Sequence, residues 1–151
     1  LDDKAGVIEA SADEALLNTY RNQIREDEFV VIQGRLQLDH FSGGLRVKVQ
    51  QVWDMAGARA RFGKYLHVVV GDKSPEVPRL VQEFPPCREE SEQGTVLHGL
   101  RVRMGVRCVA EQGAAVAELQ LGDASRFYPT DAALAAWSAQ VGTGSAVVIY
   151  E

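Results

Sequence analysis

The stretch from Leu100 to Ala110 alternates, with Val102, Met104, Val106 and Cys108 on one side and Arg101, Arg103 and Arg107 on the other. Successive side chains leave a strand on opposite faces, so this period of two predicts a half-buried β-strand. One face must be covered and the other must meet water. Glu111-Gln112-Gly113 turns the strand back, and Ala115 to Leu121 pairs with it. Upstream, Tyr65 to Val70 reads as a strand. Ser74-Pro75 has the form of a cap followed by proline at the first helical position. The helix it opens runs to about Phe84, carries Val77, Leu80, Val81 and Phe84 on one side, and stops at Pro85-Pro86. Arg88 to Gly94 reads as a polar loop. Thr130-Asp131 caps a second helix bearing Leu134 and Trp137, and Ala146 to Tyr150 is a last strand that either closes a sheet or lies at its edge. The order β-α-β-β-α-β predicts a small α+β domain of ferredoxin-like, split βαβ type over residues 64–151.

A different pattern occupies residues 1–63, and Gly63-Lys64 is read as the boundary. Val7 to Ala10 is a short strand and Ala12 to Ile24 a helix, with Asp13 and Glu14 at the end where the helix dipole favours acids. Phe29 to Leu38 and Leu45 to Val49 are strands joined by the hairpin loop Asp39-His40-Phe41-Ser42-Gly43-Gly44, whose glycines suit the positive φ of a tight turn. Leu45, Val47 and Val49 face one way, and Arg46, Lys48 and Gln50 the other. Met55 to Phe62 is a short helix.

Several function classes fall away. No apolar run approaches the ~20 residues of a membrane helix, and no secretory signal opens the chain. The first residue is Leu1, which reads as the start of an excised piece. Cys87 and Cys108 form no metal motif; they read as free thiols of a reducing cytosol, with a disulfide between them as the alternative, so a cytoplasmic location is expected. His40, His67 and His98 are too scattered for a metal site. The acidic clusters Asp2-Asp3 and Glu26-Asp27-Glu28 lie in turns, and Ser42-Gly43-Gly44 joins two strands instead of leading into a helix as phosphate loops do. No catalytic residue, metal or cofactor is therefore expected.

Binding is the better reading. Arg35, Arg46 and Lys48 share the outer face of one hairpin with Phe41 at its tip, and basic residues beside an aromatic are what single-strand binding uses. The same charges also suit the solvated face of a half-buried sheet. The net charge of −5 limits affinity for any polyanion. Arg126-Phe127-Tyr128-Pro129 places two aromatics in a loop, and aromatics serve as interface anchors or pack on the sheet beneath.

Three groups of residues carry a family resemblance. They are Leu1-Asp2-Asp3-Lys4-Ala5-Gly6-Val7-Ile8-Glu9, then Ile32-Gln33-Gly34-Arg35-Leu36 with Asp39-His40-Phe41-Ser42-Gly43-Gly44-Leu45-Arg46, then Val52-Trp53-Asp54 and Ala58-Arg59. Together they resemble the C-terminal region of the bacterial DNA polymerase III alpha subunit. The resemblance implies a partial OB-fold of nucleic-acid-binding type over 1–63, its first strands lying upstream, and a C-terminal domain over 64–151 of the kind that binds the clamp-loader tau subunit. It implies that the parent is a DNA-directed DNA polymerase whose catalytic carboxylates lie elsewhere. Other holoenzyme subunits would be met through the upstream part, with no membrane involved. Weak single-stranded DNA binding is expected at Arg35, Phe41, Arg46 and Lys48, and the tau contact at Phe127, Tyr128, Ile149 and Tyr150. An incomplete barrel exposes sheet edges that another chain can pair with. The alternatives are the OB module of an error-prone alpha-type polymerase or of a tRNA-binding protein.

Overall fold

A computed structural model describes residues 2, 6–25, 27–39, 43–92, 94–110 and 113–150, with the side chains of Cys108, Ala110 and Ala114 left aside. The chain is α+β, rich in strands, and its sheets do not close into a barrel. It forms two compact units, residues 1–55 and 56–151.

In the first unit, β1 (Glu9–Ser11) leads into α1 (Glu14–Thr19), followed by β2 (Val31–Leu38) and β3 (Leu45–Trp53). The Asp13 side chain accepts the Leu16 amide at 2.8 Å and caps α1. The helix ends well short of the expected Ile24. Asn18 and Thr19 are weak helix formers, and the Thr19 hydroxyl donates back to the Ala15 carbonyl at 2.9 Å, a local bond that competes with helix continuation. The sheet order is β1-β3-β2, with β1 parallel to β3 and β2 antiparallel to it. The expected hairpin is present: Leu38 faces Leu45, the Asp39 amide reaches the Gly44 carbonyl at 2.8 Å, and Gly43 takes a positive φ of 71°. The β2–β3 register shifts between Gln33 and Gly34, which marks a bulge. Glycine is required there, because a Cβ on Gly34 would lie 2.4 Å from the Lys48 carbonyl oxygen.

The second unit begins in α2 (Met55–Phe62), which the sequence reading grouped with the first part. Ala58 is buried, and the Arg59 guanidinium donates to the Pro129 carbonyl at 3.3 Å and pairs with Asp131 at 2.6 Å, which ties the helix to this unit. Then come β4 (Tyr65–Val69), α3 (Val77–Glu83), β5 (Cys87–Ser91), β6 (Gly94–His98), β7 (Arg101–Ala110), β8 (Gly113–Gln120), a 3-10 turn (Asp123–Ser125), α4 (Asp131–Gln140) and β9 (Ser145–Ile149).

Four strands form one sheet in the order β8-β7-β4-β9. Here the ferredoxin-like expectation needs correction. A split βαβ unit inserts a strand between the two strands that flank its helix, whereas β4 and β7 are direct parallel neighbours, Leu66 beside Val102 and Val68 beside Met104. Element order does not encode sheet order. The apolar sides of β4 and β7 are both buried and match when the strands are adjacent, and β9 takes the other edge of β4.

Two further differences concern the segment between β4 and β7. Helix α3 starts at Val77, not at Ser74-Pro75, because the Gln140 side chain accepts the Glu76 amide at 2.7 Å and Pro78 occupies the first turn. The expected loop 88–94 contributes to a β5–β6 hairpin that forms its own two-stranded sheet. Its residues are almost all exposed, so no apolar alternation marks it in the sequence. Polar bonds hold it instead, among them Glu89–His98 at 2.6 Å and Glu90–Thr95 at 3.0 Å.

The core lies on one face of the four-stranded sheet. Leu66, Val68, Val102 and Met104 from the strands meet Leu80 of α3, Ala133 and Trp137 of α4, and Leu100, Phe127 and Val141. Thr130 caps α4 as expected, its hydroxyl accepting the Ala133 amide at 3.1 Å. Among the described residues, no helix is long and apolar enough to cross a membrane, and no cluster of three or more His, Cys, Asp or Glu is arranged to hold a metal ion.

Candidate functional site

The register of the first unit sorts its side chains onto two faces. Arg35 lies directly opposite Lys48, and Gln37 opposite Arg46. On the other side of β3, Glu9 faces Arg46 and Ser11 faces Lys48. Directly opposed residues have Cβ atoms about 4.5–5.5 Å apart, so Arg35, Arg46 and Lys48 form one basic patch. Three of the four residues expected to bind DNA are thus brought together, while Phe41 lies outside the described residues. The members of the patch are not equivalent. Arg35 and Lys48 are exposed, whereas Arg46 is half-buried, its guanidinium 3.8 Å from Asp39 and its buried Nε without a hydrogen-bond partner among the described residues. Glu9 was missed as a member of this face, because the parallel pairing of β1 with β3 leaves no local mark in the sequence.

The reverse face is apolar. Leu36 meets Val47, Leu38 meets Leu45, and Ile32 meets Val52 across the strands. At its inner end a cavity of about 280 Å³ is lined by Ala10, Leu17, Ile24, Val30, Ile32 and Val49, among others. At the hairpin end Leu36, Leu38 and Leu45 are more than half exposed.

The residues expected to touch a protein partner separate in the second unit. Phe127 is wholly buried, its ring 5.4 Å from that of Trp137 at an angle of 48°, and its backbone bridges Leu100. It belongs to the core and presents no surface. Tyr128 is half-buried, and its amide donates to the Phe84 carbonyl at 3.0 Å. Ile149 pairs with Tyr65 on the sheet face away from the core, and Tyr150 is 54% exposed. Through Leu100, just before β7, and Tyr65, which opens β4, both groups lie at the same end of the sheet, Phe127 on its helix-covered side and Ile149 on its open side.

Cys87 is a free, exposed thiol on β5. His67 sits on the open face of β4 between Arg103 and Val147, and His98 is held by Glu89.

Among known proteins, the chain is 25% identical over 116 residues to DNA polymerase III subunit alpha of Pasteurella multocida, an overlap of 71% of this chain and 10% of that protein. It is 27% identical over 134 residues to the same subunit of Vibrio cholerae, 89% of this chain and 11% of that protein. Identity rises to 37% over a 68-residue stretch of the Pseudomonas fluorescens subunit, 45% of this chain and 6% of that protein. The chain therefore spans about a tenth of the length of the first two of these relatives. No family model matches it, and no solved structure matches it. Over most of its length this chain is similar to a segment of the bacterial DNA polymerase III alpha subunit.

Proposed function

We propose that this chain is a non-catalytic binding region from the C-terminal part of a replicative DNA polymerase alpha subunit. Its first unit contacts single-stranded template, and its second unit docks the tau subunit of the clamp loader. The observation that carries the DNA reading is the direct opposition of Arg35 and Lys48 on an exposed face. Like charges in that position repel and destabilise the strand pair by a few tenths of a kcal/mol or more, up to about 1. A bound phosphate relieves the repulsion, so the pair suits a face that meets a polyanion. The OB reading draws support from the β1-α1-β2-β3 order with β1 parallel to β3, as in the later half of a five-stranded Greek-key barrel.

The test is fluorescence anisotropy with a labelled oligothymidylate over a range of salt. Arg35→Ala with Lys48→Ala removes two phosphate contacts and flattens the log–log salt slope by about 1.4. Because both side chains are exposed and repel, the double variant melts at or slightly above the parent temperature. Unchanged affinity and slope would make the patch a solvated face only.

For the tau contact, Tyr128, Ile149 and Tyr150 are the proposed surface, with Phe127 as the packing beneath. Tyr128→Ala and Tyr150→Ala, each retaining the parent melting temperature, should weaken capture by immobilised tau. Folded variants that bind tau as the parent does would remove this end of the sheet from the interface.

A further inference from the structure

In the second unit, α3 and α4 pack on the face of the four-stranded sheet that carries Leu66, Val68, Val102 and Met104, and the other face is basic where β4, β7 and β8 meet. Arg101 lies beside Tyr65, and Arg103 beside Gln120. Arg101 and Arg103 leave the same face of β7, their Cα atoms about 6.6–6.8 Å apart. With Lys64 these residues line a cavity of about 130 Å³. From this geometry we propose that the cavity is a binding site for a phosphate group, carried either by a free small phosphate or by the backbone of a single-stranded nucleic acid. The proposal is independent of the DNA reading above, which concerns the first unit and a different set of residues; it shares the open face of this sheet with Ile149, the pair partner of Tyr65.

Three features point to an oxyanion. Arg103 is held ready: its guanidinium stacks 3.9 Å from the Tyr65 ring centroid, donates to the Tyr65 hydroxyl at 3.1 Å and pairs with Glu118 at 3.2 Å. A cation fixed in this way loses little side-chain entropy when a ligand arrives. Next, two cations at the mouth are left uncompensated. Among the described residues neither Lys64 nor Arg101 has an ion pair within 4.0 Å. The nearby Asp123 is taken by Arg126, whose hydrogen bond and charge hold its carboxyl below the usual range, and Arg101 acts on it only through space. Finally, the cavity is smaller than the roughly 300–1,000 Å³ typical of pockets for drug-sized molecules. It admits a small anionic group and leaves whatever is attached outside.

The experiment uses the whole chain, labelled with nitrogen-15 and titrated with inorganic phosphate against chloride at matched ionic strength. Saturable shifts are expected at the amides of Lys64, Arg101, Arg103, Gln120 and Gly122. Lys64→Gln with Arg101→Gln, both at exposed positions, weakens the apparent affinity at least about tenfold, or roughly 1.4 kcal/mol. If the double variant loses its melting transition, Arg101→Gln alone repeats the test. A short oligothymidylate that moves the same amides and is displaced by phosphate assigns the site to a nucleic-acid backbone, while phosphate acting alone assigns it to a free phosphate. Shifts identical in chloride, or unaltered in the variant, overturn the proposal. A polyglutamate peptide that binds there more tightly than phosphate also overturns it and reassigns the face to an acidic protein segment.

Discussion

Replacing Phe127 by alanine separates a core role from an interface role. The side chain is wholly buried and packs on Trp137, and its backbone closes the bridge to Leu100. Truncating a buried phenylalanine costs about 3–5 kcal/mol through lost transfer energy and residual cavity, a range that already includes most of the ~1 kcal/mol of the aromatic pair. A domain of this size has roughly 5–15 kcal/mol in total, so Phe127→Ala leaves the second unit marginal. With a urea dependence of about 1–3 kcal/mol per molar, the midpoint falls by at least ~1 M. Tryptophan fluorescence reads this transition cleanly in a Trp53→Phe background, where Trp137 is the only tryptophan left. Phe127→Leu, which keeps most of the volume, recovers most of the loss, and Tyr128→Ala leaves the midpoint close to the parent. A Phe127→Ala midpoint within ~0.5 M of the parent (~0.5–1.5 kcal/mol at the same dependence) would refute the packing argument. It would also return Phe127 to the list of surface anchors.

Gly34→Ala places a Cβ 2.4 Å from the Lys48 carbonyl oxygen and 2.5 Å from the Val47 side chain. It should destabilise the first unit by about 1–3 kcal/mol, measured by thermal unfolding, and amide shifts along β3 should report the disturbed bulge. Asp72 accepts the Thr143 amide at 2.8 Å, and with the Thr143 hydroxyl this holds its carboxyl below the usual range. A carboxyl held down by folding contributes stability that is complete above the unfolded pKa and is lost as pH falls through the lowered folded one. Asp72→Asn should therefore flatten the acid limb of the stability–pH curve below the ordinary aspartate value, as urea midpoints taken along that limb would report. At neutral pH it should keep more stability than Asp72→Ala, because the Asn oxygen still accepts from Thr143.

Strong alternation was the legible part of the fold. The arginines of β7 mark its solvent face while Val102 and Met104 mark the core face, and both are found there; Val106, expected on the core face as well, is only half-buried and outside the core cluster, and the Cys108 side chain lies outside the described residues. The α4 cap was legible for a similar reason, since Thr130 needs only residues in its own first turn. What failed depends on distant partners. Helix α3 opens where Gln140 reaches Glu76, far along the chain. The β5–β6 hairpin buries almost nothing, so it lacks the apolar signal by which strands are recognised. Sheet order is invisible to element order, and so β4 and β7 came out as neighbours instead of split. At the candidate site, local alternation was enough to gather Arg35, Arg46 and Lys48. It could not show that Asp39 engages Arg46, nor that Phe127 lies beneath the surface.

Both units follow one plan, in which a sheet with an apolar face turns a basic face outward. The overall charge of −5 is compatible with this because many of the acids are placed elsewhere. Glu89, Glu90 and Glu92 sit in or beside the β5–β6 hairpin, and Asp13 and Glu14 at the start of α1. Each basic face offers only two or three cations, and each phosphate neutralised on a single strand contributes about 0.7 to the salt slope. On the proposed reading, neither face alone has the slope of a tight DNA-binding protein, and a strand bound at either would be released readily as salt rises. Such faces act best as secondary contacts within a larger assembly, where a strand already held elsewhere is present at high effective concentration. On the proposed reading, a chain that spans a tenth of its relatives' length and bears small basic faces suits that division of labour, in which affinity comes from the whole and local guidance from the part.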